Sequence, residues 1–273
     1  MNARPRRLAR DLLVVDVGNS KVLAVLFGGG VERFRVRLDY AVAPRGRWAA
    51  SWRAALGALR ALSGAPVPVL LASVAPRRAD PVERGLRRHF GGRIHRAGWR
   101  DPWPFRIGVR APATLGADRL ANTAGLMALG HASGVAIDAG TAITFDVLDR
   151  GRLRGGLIFP GFALVADALH DHTAQLPRVQ PLPTPDLVGT DTGSALRAGI
   201  HYGVTGGVVA IAAAVQRSLG RGAPLVFTGG DGERLCAECP LPGARFEPDL
   251  LLAGMRLVGQ RIFPAAGAAK FSR

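Results

Sequence analysis

Two stretches of the sequence share one pattern: VVDVGNSKVLAV at Val14–Val25 and AIDAGTAITFDV at Ala136–Val147. Each has an apolar run, an Asp-x-Gly turn with a small polar residue, and a second run rich in β-branched residues, which predicts a β-hairpin. A third glycine turn, Thr228–Asp231, follows another short apolar run. Because the hairpin pattern occurs twice, far apart in the chain, we expect two domains of similar structure.

The residues after each hairpin predict alternating helices and strands. Apolar residues fall at helical spacing between residues 48 and 62, a short apolar strand follows at 67–74, and a second helix is predicted at 81–90. The second half continues in the same way and contains a long apolar helix at 194–219. We therefore expect a mixed α/β protein with two similar lobes.

Composition predicts a folded protein, because 48% of the 273 residues are apolar and the mean hydropathy is +0.16. The formal net charge of +16 raises nucleic acid as a partner class. The two densest arginine clusters, Arg4–Arg10 and Arg84–Arg93, lack the interleaved aromatic residues that stack on bases. We therefore expect no specific nucleic-acid site, only a positive potential that attracts a small polyanion.

The sequence is also interpreted as lacking a membrane span. Asp16 and Asp138 interrupt the apolar runs around them, and no run is expected to reach the roughly 18 to 20 residues that a bilayer requires. The run Leu12–Val15 is too short for the core of a signal peptide. We therefore expect a soluble, cytoplasmic protein with no membrane partner.

Cys236 and Cys239 form a single C-x-x-C pair without a second pair of ligands at zinc-site spacing. His170 and His172 are two residues apart, which places them on different faces of a helix. We expect no structural zinc site, and two reduced thiols at a surface turn.

An Asp-x-Gly turn between two strands can bind phosphate. Its glycine lets the backbone come close to the oxygens, neighbouring N–H groups point at them, and the carboxylate holds a metal ion that bridges them. A plain hairpin turn uses the same residues, but two copies and a third glycine turn favour phosphate. Ser20 and Thr141 are candidate donors to phosphate or to their own turns. Lys21 either reaches a phosphate or lies on the exposed face of its strand.

Asp118 and Arg119 open a predicted helix between the two hairpins. In one interpretation the pair compensates the helix dipole and the arginine is solvated. In the other, Asp118 accepts a proton from a substrate hydroxyl and Arg119 pairs with an anionic group of the same substrate. These residues alone leave both interpretations open.

The three glycine turns resemble the two phosphate loops and the adenosine loop of the actin-like, sugar-kinase and Hsp70 ATPase superfamily. In that superfamily ATP lies in a cleft between two RNase-H-like lobes. The resemblance implies an N-terminal lobe at residues 1–118 with the first phosphate loop. It implies a C-terminal lobe at residues 119–273 with the second phosphate loop and the adenosine loop.

A set of motifs in one order and spacing makes the resemblance more specific. The motifs are DVGNS at Asp16–Ser20, GADR at Gly116–Arg119, DAGTAITFD at Asp138–Asp146, GGLIFPG at Gly155–Gly161, ALHDHTAQLP at Ala168–Pro177, DTGSALRAGI at Asp191–Ile200 and FTGGD at Phe227–Asp231. By their combination, and by no single motif, the chain from about Leu12 to Leu257 resembles the type III pantothenate kinases, also called the Bvg accessory factor family.

The resemblance implies transfer of the γ-phosphoryl group of ATP to the primary hydroxyl of pantothenate, the first step of coenzyme A synthesis. It implies ATP with Mg²⁺, a monovalent cation (K⁺ or NH₄⁺) at Asp138, and a homodimer in which the partner subunit completes the acceptor pocket. Asp118 is implied as the general base. Pantothenate is implied to contact Gly116, Ala117, Asp118, Arg119 and Thr192. ATP is implied to contact Asp16, Val17, Gly18, Asn19, Ser20, Lys21, Val22, Leu23 and Thr141.

The chain departs from the family pattern near the acceptor, where Val109 occupies the position of a common tyrosine. This departure affects which side chains line the acceptor pocket and does not affect the expected reaction. Two rival functions stay open: another small-molecule kinase of the same superfamily, and a regulatory protein that keeps the fold without activity. Retention of Asp16, Asp118–Arg119, Asp138 and Thr141 together argues against the second rival, because a scaffold needs none of them.

Overall fold

The computed structural model describes residues 11–40, 47–63, 67–91, 93–183, 186–220 and 222–264. The arginine cluster Arg4–Arg10 lies outside them. The chain divides into two compact units. The first unit takes its described residues from Met1–Pro104, Ala111–Gly125 and Leu251–Arg273, and the second is Phe105–Arg110 and Leu126–Leu250. The sequence-based division at 118/119 stays a prediction; it does not coincide with these units, because the C-terminal helix returns to the first one.

The first unit contains a five-stranded sheet in the order β3-β2-β1-β4-β5. Strand β1 is antiparallel to β2 and parallel to β4, and it is buried along nearly its whole length, as expected for a central strand. Trp52, Leu56 and Leu86 from two helices pack with Leu13 and Val15 of β1 in the core. The elements are β1 (Leu12–Val17), β2 (Lys21–Gly28), β3 (Val31–Asp39), α1 (Arg47–Ser63), β4 (Val69–Ser73), α2 (Pro76–Phe90) and β5 (Ile94–Arg96).

The second unit contains a six-stranded sheet in the order β11-β10-β7-β8-β9-β6. Its central hairpin β7–β8 is antiparallel, and β10 and β11 add to it in parallel. Five of its strands therefore repeat the plan of the first sheet. The elements are β6 (Arg106–Ile107), β7 (Gly134–Ala139), β8 (Ala142–Asp149), β9 (Arg152–Pro160), α4 (Phe162–Asp171), α5 (Thr192–Leu219), β10 (Leu225–Thr228), α6 (Gly232–Ala237) and β11 (Ala244–Phe246).

Helix α5 corrects one expectation from the sequence. By length and composition its 28 residues could cross a membrane, so the expectation that no run reaches that length was wrong. Five of its buried residues recur every four positions from Ile200 through Val204, Val208 and Ala212 to Gln216, and the first four pack into the core of the second unit. The helix thus packs one stripe against that core, and glycine and alanine occupy much of the rest.

Two further helices, α3 (Ala117–Ala128) and α7 (Leu250–Ile262), approach each other closely in the first unit. A Cβ atom added at Gly254 of α7 would lie 1.9 Å from the carbonyl oxygen of Ala121 and 2.7 Å from the backbone nitrogen of Gly125. These neighbours are backbone atoms, which cannot rotate away as a side chain could. The close approach therefore requires glycine at position 254.

We expect Gly254→Ala to destabilise the first unit by about 1 to 3 kcal/mol, because overpacking forces the two helices apart. The matched control is Gly57→Ala on the exposed face of α1, where the added Cβ meets nothing within 4 Å. That control should be neutral or more stable by up to about 1 kcal/mol, because alanine favours helix. Melting temperatures of the two variants measure the difference, and equal values would contradict the steric argument.

Candidate active site

The first Asp-x-Gly turn lies at the carboxyl end of β1. The N–H of Gly18 donates to the carbonyl of Lys21 at 3.0 Å, and the N–H of Tyr40 donates to the carbonyl of Ser20 at 2.9 Å. Asp16 and Lys21 are half-buried, and Ser20 is exposed. The side chains of Val17 and Val22 are buried in the core, so only their backbones are available to the predicted nucleotide.

The second turn has the same construction at the end of β7. The N–H of Gly140 donates to the carbonyl of Ala142 at 3.2 Å, Asp138 is half-buried and Thr141 is exposed. A Cβ atom added at Gly18 or Gly140 would come no closer than 3.6 Å to the atoms around it. The neighbouring atoms of the protein therefore do not require glycine at either turn. Close approach of a phosphate to the backbone would require it, because a side chain would be in the way. The residues present fit a bound nucleotide phosphate.

Two other segments of the second unit brace this turn. The N–H of Gly161 donates to the carbonyl of Thr141 at 3.1 Å, and the N–H of Asp231 donates to the carbonyl of Ala139 at 3.0 Å. A Cβ atom added at Gly161 would lie 2.3 Å from the carbonyl oxygen of Gly140. The second phosphate turn, the third glycine turn and the start of α4 therefore form one packed group.

A polar network that the sequence did not predict lies behind this group. The Arg234 guanidinium of α6 lies 4.1 Å from the ring centroid of Phe162, the first residue of α4. It also donates to the carbonyl of Pro181 at 3.1 Å and contacts Nδ1 of His201 at 2.5 Å. Because arginine has only donors, Nδ1 of His201 accepts, which places the proton of the neutral ring on Nε2, 3.6 Å from Glu238.

Burial raises the pKa of the Asp231 carboxyl at the third glycine turn, and the nearby Arg234 charge opposes that shift. The arginine that connects α6 to α4 therefore also favours the charged form of Asp231. The only sequence signal for Arg234 was its place three residues after the third glycine turn. His201, inside an apolar helix, gave none.

Asp118 lies in the first turn of α3, and its Oδ1 accepts the N–H of Arg119 at 2.7 Å. A Cβ atom added at Gly116 would lie 2.3 Å from that same oxygen and 3.2 Å from Cγ1 of Val74. The N–H of Val74 in turn approaches the carbonyl of Val17 at 3.4 Å. Val74 therefore adjoins both the Gly116–Asp118 segment and the first Asp-x-Gly turn within one unit.

Thr192 belongs to the second unit, where it begins α5. Asp191 caps this helix, accepting the N–H and the hydroxyl of Ser194 at 2.9 Å each. These hydrogen bonds, the backbone one first, lower the pKa of the Asp191 carboxyl. An open cavity of about 540 Å³ adjoins the cap, lined by residues that include Leu169, Thr192 and Ile200.

Cys239 is buried, which corrects the expectation that both thiols lie at a surface turn. Burial raises the pKa of Cys236 and of Cys239, so neither is an activated nucleophile. Across the described part of the chain, no group of three or more His, Cys, Asp or Glu side chains could hold a metal ion.

Comparison with known proteins decides the family. The family model for type III pantothenate kinase matches residues 12–214. The type III pantothenate kinase of Rhodospirillum centenum is 36% identical over 259 residues, which cover 92% of this chain and 98% of that protein. The type III pantothenate kinase of Thermus thermophilus is 34% identical over 251 residues, 89% of this chain and 96% of that protein.

The chain belongs to the type III pantothenate kinase family. The resemblance inferred from the motifs is thereby confirmed.

Solved structures confirm the predicted fold class, although at low sequence identity. A Sinorhizobium meliloti protein assigned as a 2-dehydro-3-deoxygalactonokinase aligns with a TM-score of 0.57 at 18% identity, covering 96% of this chain and all of that one. A Campylobacter jejuni protein assigned to the Baf family of transcriptional activators aligns with a TM-score of 0.56 at 19% identity, covering 92% and 98%. At these identities, both likenesses show the fold alone.

We expect Gly161→Ala to weaken ATP binding, because the new methyl group would displace the carbonyls of Gly140 and Thr141. At about 1.4 kcal/mol per tenfold change in affinity, an overpacking cost of about 1 to 3 kcal/mol predicts a KM for ATP raised by about 5-fold to 140-fold. Steady-state kinetics at saturating acceptor would measure it, with Gly57→Ala as the control. An unchanged KM would show that the turn does not depend on Gly161.

Proposed function

We propose that this chain transfers the γ-phosphoryl group of ATP to the primary hydroxyl of pantothenate. Membership of the family supports the reaction. The observation that carries the proposal is that Val74 adjoins both Gly116 and Val17 of the first Asp-x-Gly turn, which supports a role for Asp118 near that turn. Phosphoryl transfer depends mainly on such alignment and on neutralising charge.

The proposed roles follow from where the side chains lie. Residues Asp16–Leu23 and the hydroxyl of Thr141 would bind the phosphates, with Lys21 adding charge. Asp118 would orient the acceptor hydroxyl and take its proton, and Arg119 would pair with the carboxylate of pantothenate. Mg²⁺ would arrive with ATP and neutralise the phosphates. Gly116, Ala117 and Thr192 would complete the acceptor site.

Asp138 is proposed to bind a monovalent cation, K⁺ or NH₄⁺. This assignment follows the family resemblance, and the half-buried Asp138 carboxylate would supply an oxygen ligand to the ion. We further propose that the enzyme is cytoplasmic and uses no membrane or specific nucleic-acid partner.

The decisive assay incubates the purified protein with ATP, Mg²⁺ and pantothenate in potassium, ammonium or sodium buffer. We expect ADP and 4′-phosphopantothenate in equal amounts, with potassium or ammonium required. Turnover of another alcohol in place of pantothenate would favour the kinase rival. No turnover of any acceptor, together with tight nucleic-acid binding at physiological salt, would favour the regulatory rival. Full activity in sodium buffer would contradict the proposal that Asp138 binds K⁺ or NH₄⁺.

We expect Asp118→Asn to lower kcat by about 10² to 10⁴, because the amide keeps the size of the carboxylate but accepts no proton. ATP affinity and melting temperature should change little, since asparagine is also tolerated in the first helical turn. If Asp118 only compensates the helix dipole, the variant should lose at most about 1 kcal/mol of stability and keep its turnover. A folded, ATP-binding variant with kcat within a few-fold of the original would exclude Asp118 as the base.

We also propose a homodimer formed through α5. The added Cβ atoms at Gly199, Gly203 and Gly206 would meet nothing within 4 Å, and Tyr202 beside them is 40% exposed. Small residues spaced along one helix allow close approach of a second helix. The cavity at Thr192 includes Gly199, so a partner seated on this face would adjoin the proposed acceptor site.

We expect the protein to elute as a dimer in size-exclusion chromatography with light scattering. Gly203→Arg should yield a monomer with impaired pantothenate use, because a charged side chain cannot be buried at a close helix contact. Gly57→Arg, on the exposed face of α1, is the control and should remain dimeric. A monomer in the unsubstituted protein would refute the proposed interface.

A further inference from the structure

Three aromatic rings form a ladder from the core of the first unit to its surface. The Trp52 and Trp48 rings are 6.1 Å apart at an interplanar angle of 17°, and those of Trp48 and Tyr40 are 5.3 Å apart at 40°. Trp52 is only 2% exposed and contacts the position of Gly85 on α2. The ladder therefore fixes the outermost ring, Tyr40, against a rigid core.

Tyr40 also adjoins the first phosphate turn. It follows β3, whose last residue Asp39 pairs with Lys21, and its N–H donates to the carbonyl of Ser20. Burial raises the pKa of the Tyr40 hydroxyl; the Arg78 charge acts to lower that pKa and the Asp16 charge acts to raise it. The hydroxyl therefore lies within the electrostatic range of both charges.

Arg78 lies at the outer end of the ladder. Its Cζ atom is 4.0 Å from the centroid of the Tyr40 ring, a cation–π distance. Other arginines of this region, Arg87 and Arg96, form ion pairs with Glu83. Contact with a ring face, unlike an ion pair, leaves the full positive charge of Arg78 to act on an anion.

The backbone holds this arginine at the same edge of the sheet as the phosphate turn. Strands β1 and β4 are parallel and pair Val17 with Ser73, so their carboxyl ends meet. The Ser73 hydroxyl donates to the carbonyl of Val17 at 3.3 Å and accepts the N–H of Ala75 at 3.1 Å. Helix α2 begins at the next residue, and Arg78 is in its first turn.

We propose that Arg78 binds phosphate oxygens of ATP at the first Asp-x-Gly turn. The inference rests on the proposed function for the identity of the nucleotide. The turn itself supplies one cation, Lys21, against a triphosphate of several negative charges. A guanidinium already oriented by a ring loses less freedom on binding an anion than a mobile side chain does.

The test measures the affinity of the full-length protein for ATP-Mg²⁺ and for adenosine by calorimetry, without pantothenate. Arg78→Gln should weaken ATP binding by about tenfold or more and leave adenosine binding within twofold, because adenosine has no phosphate. The ATP affinity of Arg78→Lys should lie between those of Arg78→Gln and the unsubstituted protein. The matched control is Arg77→Gln, the exposed arginine beside it, which should bind both ligands within twofold of the unsubstituted protein.

Three outcomes would overturn the proposal. Equal ATP affinities of Arg78→Gln and Arg77→Gln would show that only general charge matters. A parallel loss of ATP and adenosine affinity, with a lower melting temperature, would show that Arg78 only supports the ladder. Absence of ATP binding by the unsubstituted protein would overturn this proposal and the proposed function together. If ATP binds as expected but pantothenate is not phosphorylated, the proposed function fails and the role of Arg78 stands.

Discussion

The parallel pairing of each central strand with the strand beside it is the constraint on which both phosphate turns depend. In the first unit β1 pairs with β4, and in the second β7 pairs with β10. Parallel strands end at the same edge of a sheet. The Asp-x-Gly turn therefore meets the start of α2 in one unit and the third glycine turn in the other. A change in the register of these strand pairs would move all residues of a turn at once relative to the neighbouring strand. The strand pairing, and not a single side-chain contact, therefore fixes the position of each turn.

The residues that hold the turns differ between the units, although the strands repeat. In the first unit the Ser73 hydroxyl braces the turn from the end of β4, and the backbone N–H of Tyr40, whose ring ends the aromatic ladder, braces it from the end of β3. In the second, backbone hydrogen bonds from Gly161 and Asp231 brace it, and Arg234 connects the helices behind them. The repeated strands thus fix where each Asp-x-Gly turn lies, whereas different local contacts hold the two turns.

The repeated hairpins, the third glycine turn and the family could be inferred from the sequence, because they depend on local patterns of glycine, aspartate and β-branched residues. The start of α2 could not. A proline favours the first turn of a helix, so the sequence predicted a helix at 81–90. The helix in fact begins at Pro76 and contains Pro81. The expectation that no run reaches membrane-spanning length was wrong at α5, whose length and composition suffice.

Contacts between residues far apart in the chain could also not be predicted from the sequence. Tyr40 and Arg78, like His201 and Arg234, are far apart in the chain and meet only when the sheets have formed. Neither pair has a spacing that a motif could reveal. Arg78 contacts an aromatic ring, whereas Arg234 contacts an imidazole and also pairs with Glu238 at 3.5 Å; both arginines lie beside a glycine turn. Under the role proposed for Arg78, a chain of net charge +16 meets a polyanion without a lysine-rich motif, because an aromatic partner orients the guanidinium and leaves its charge in place.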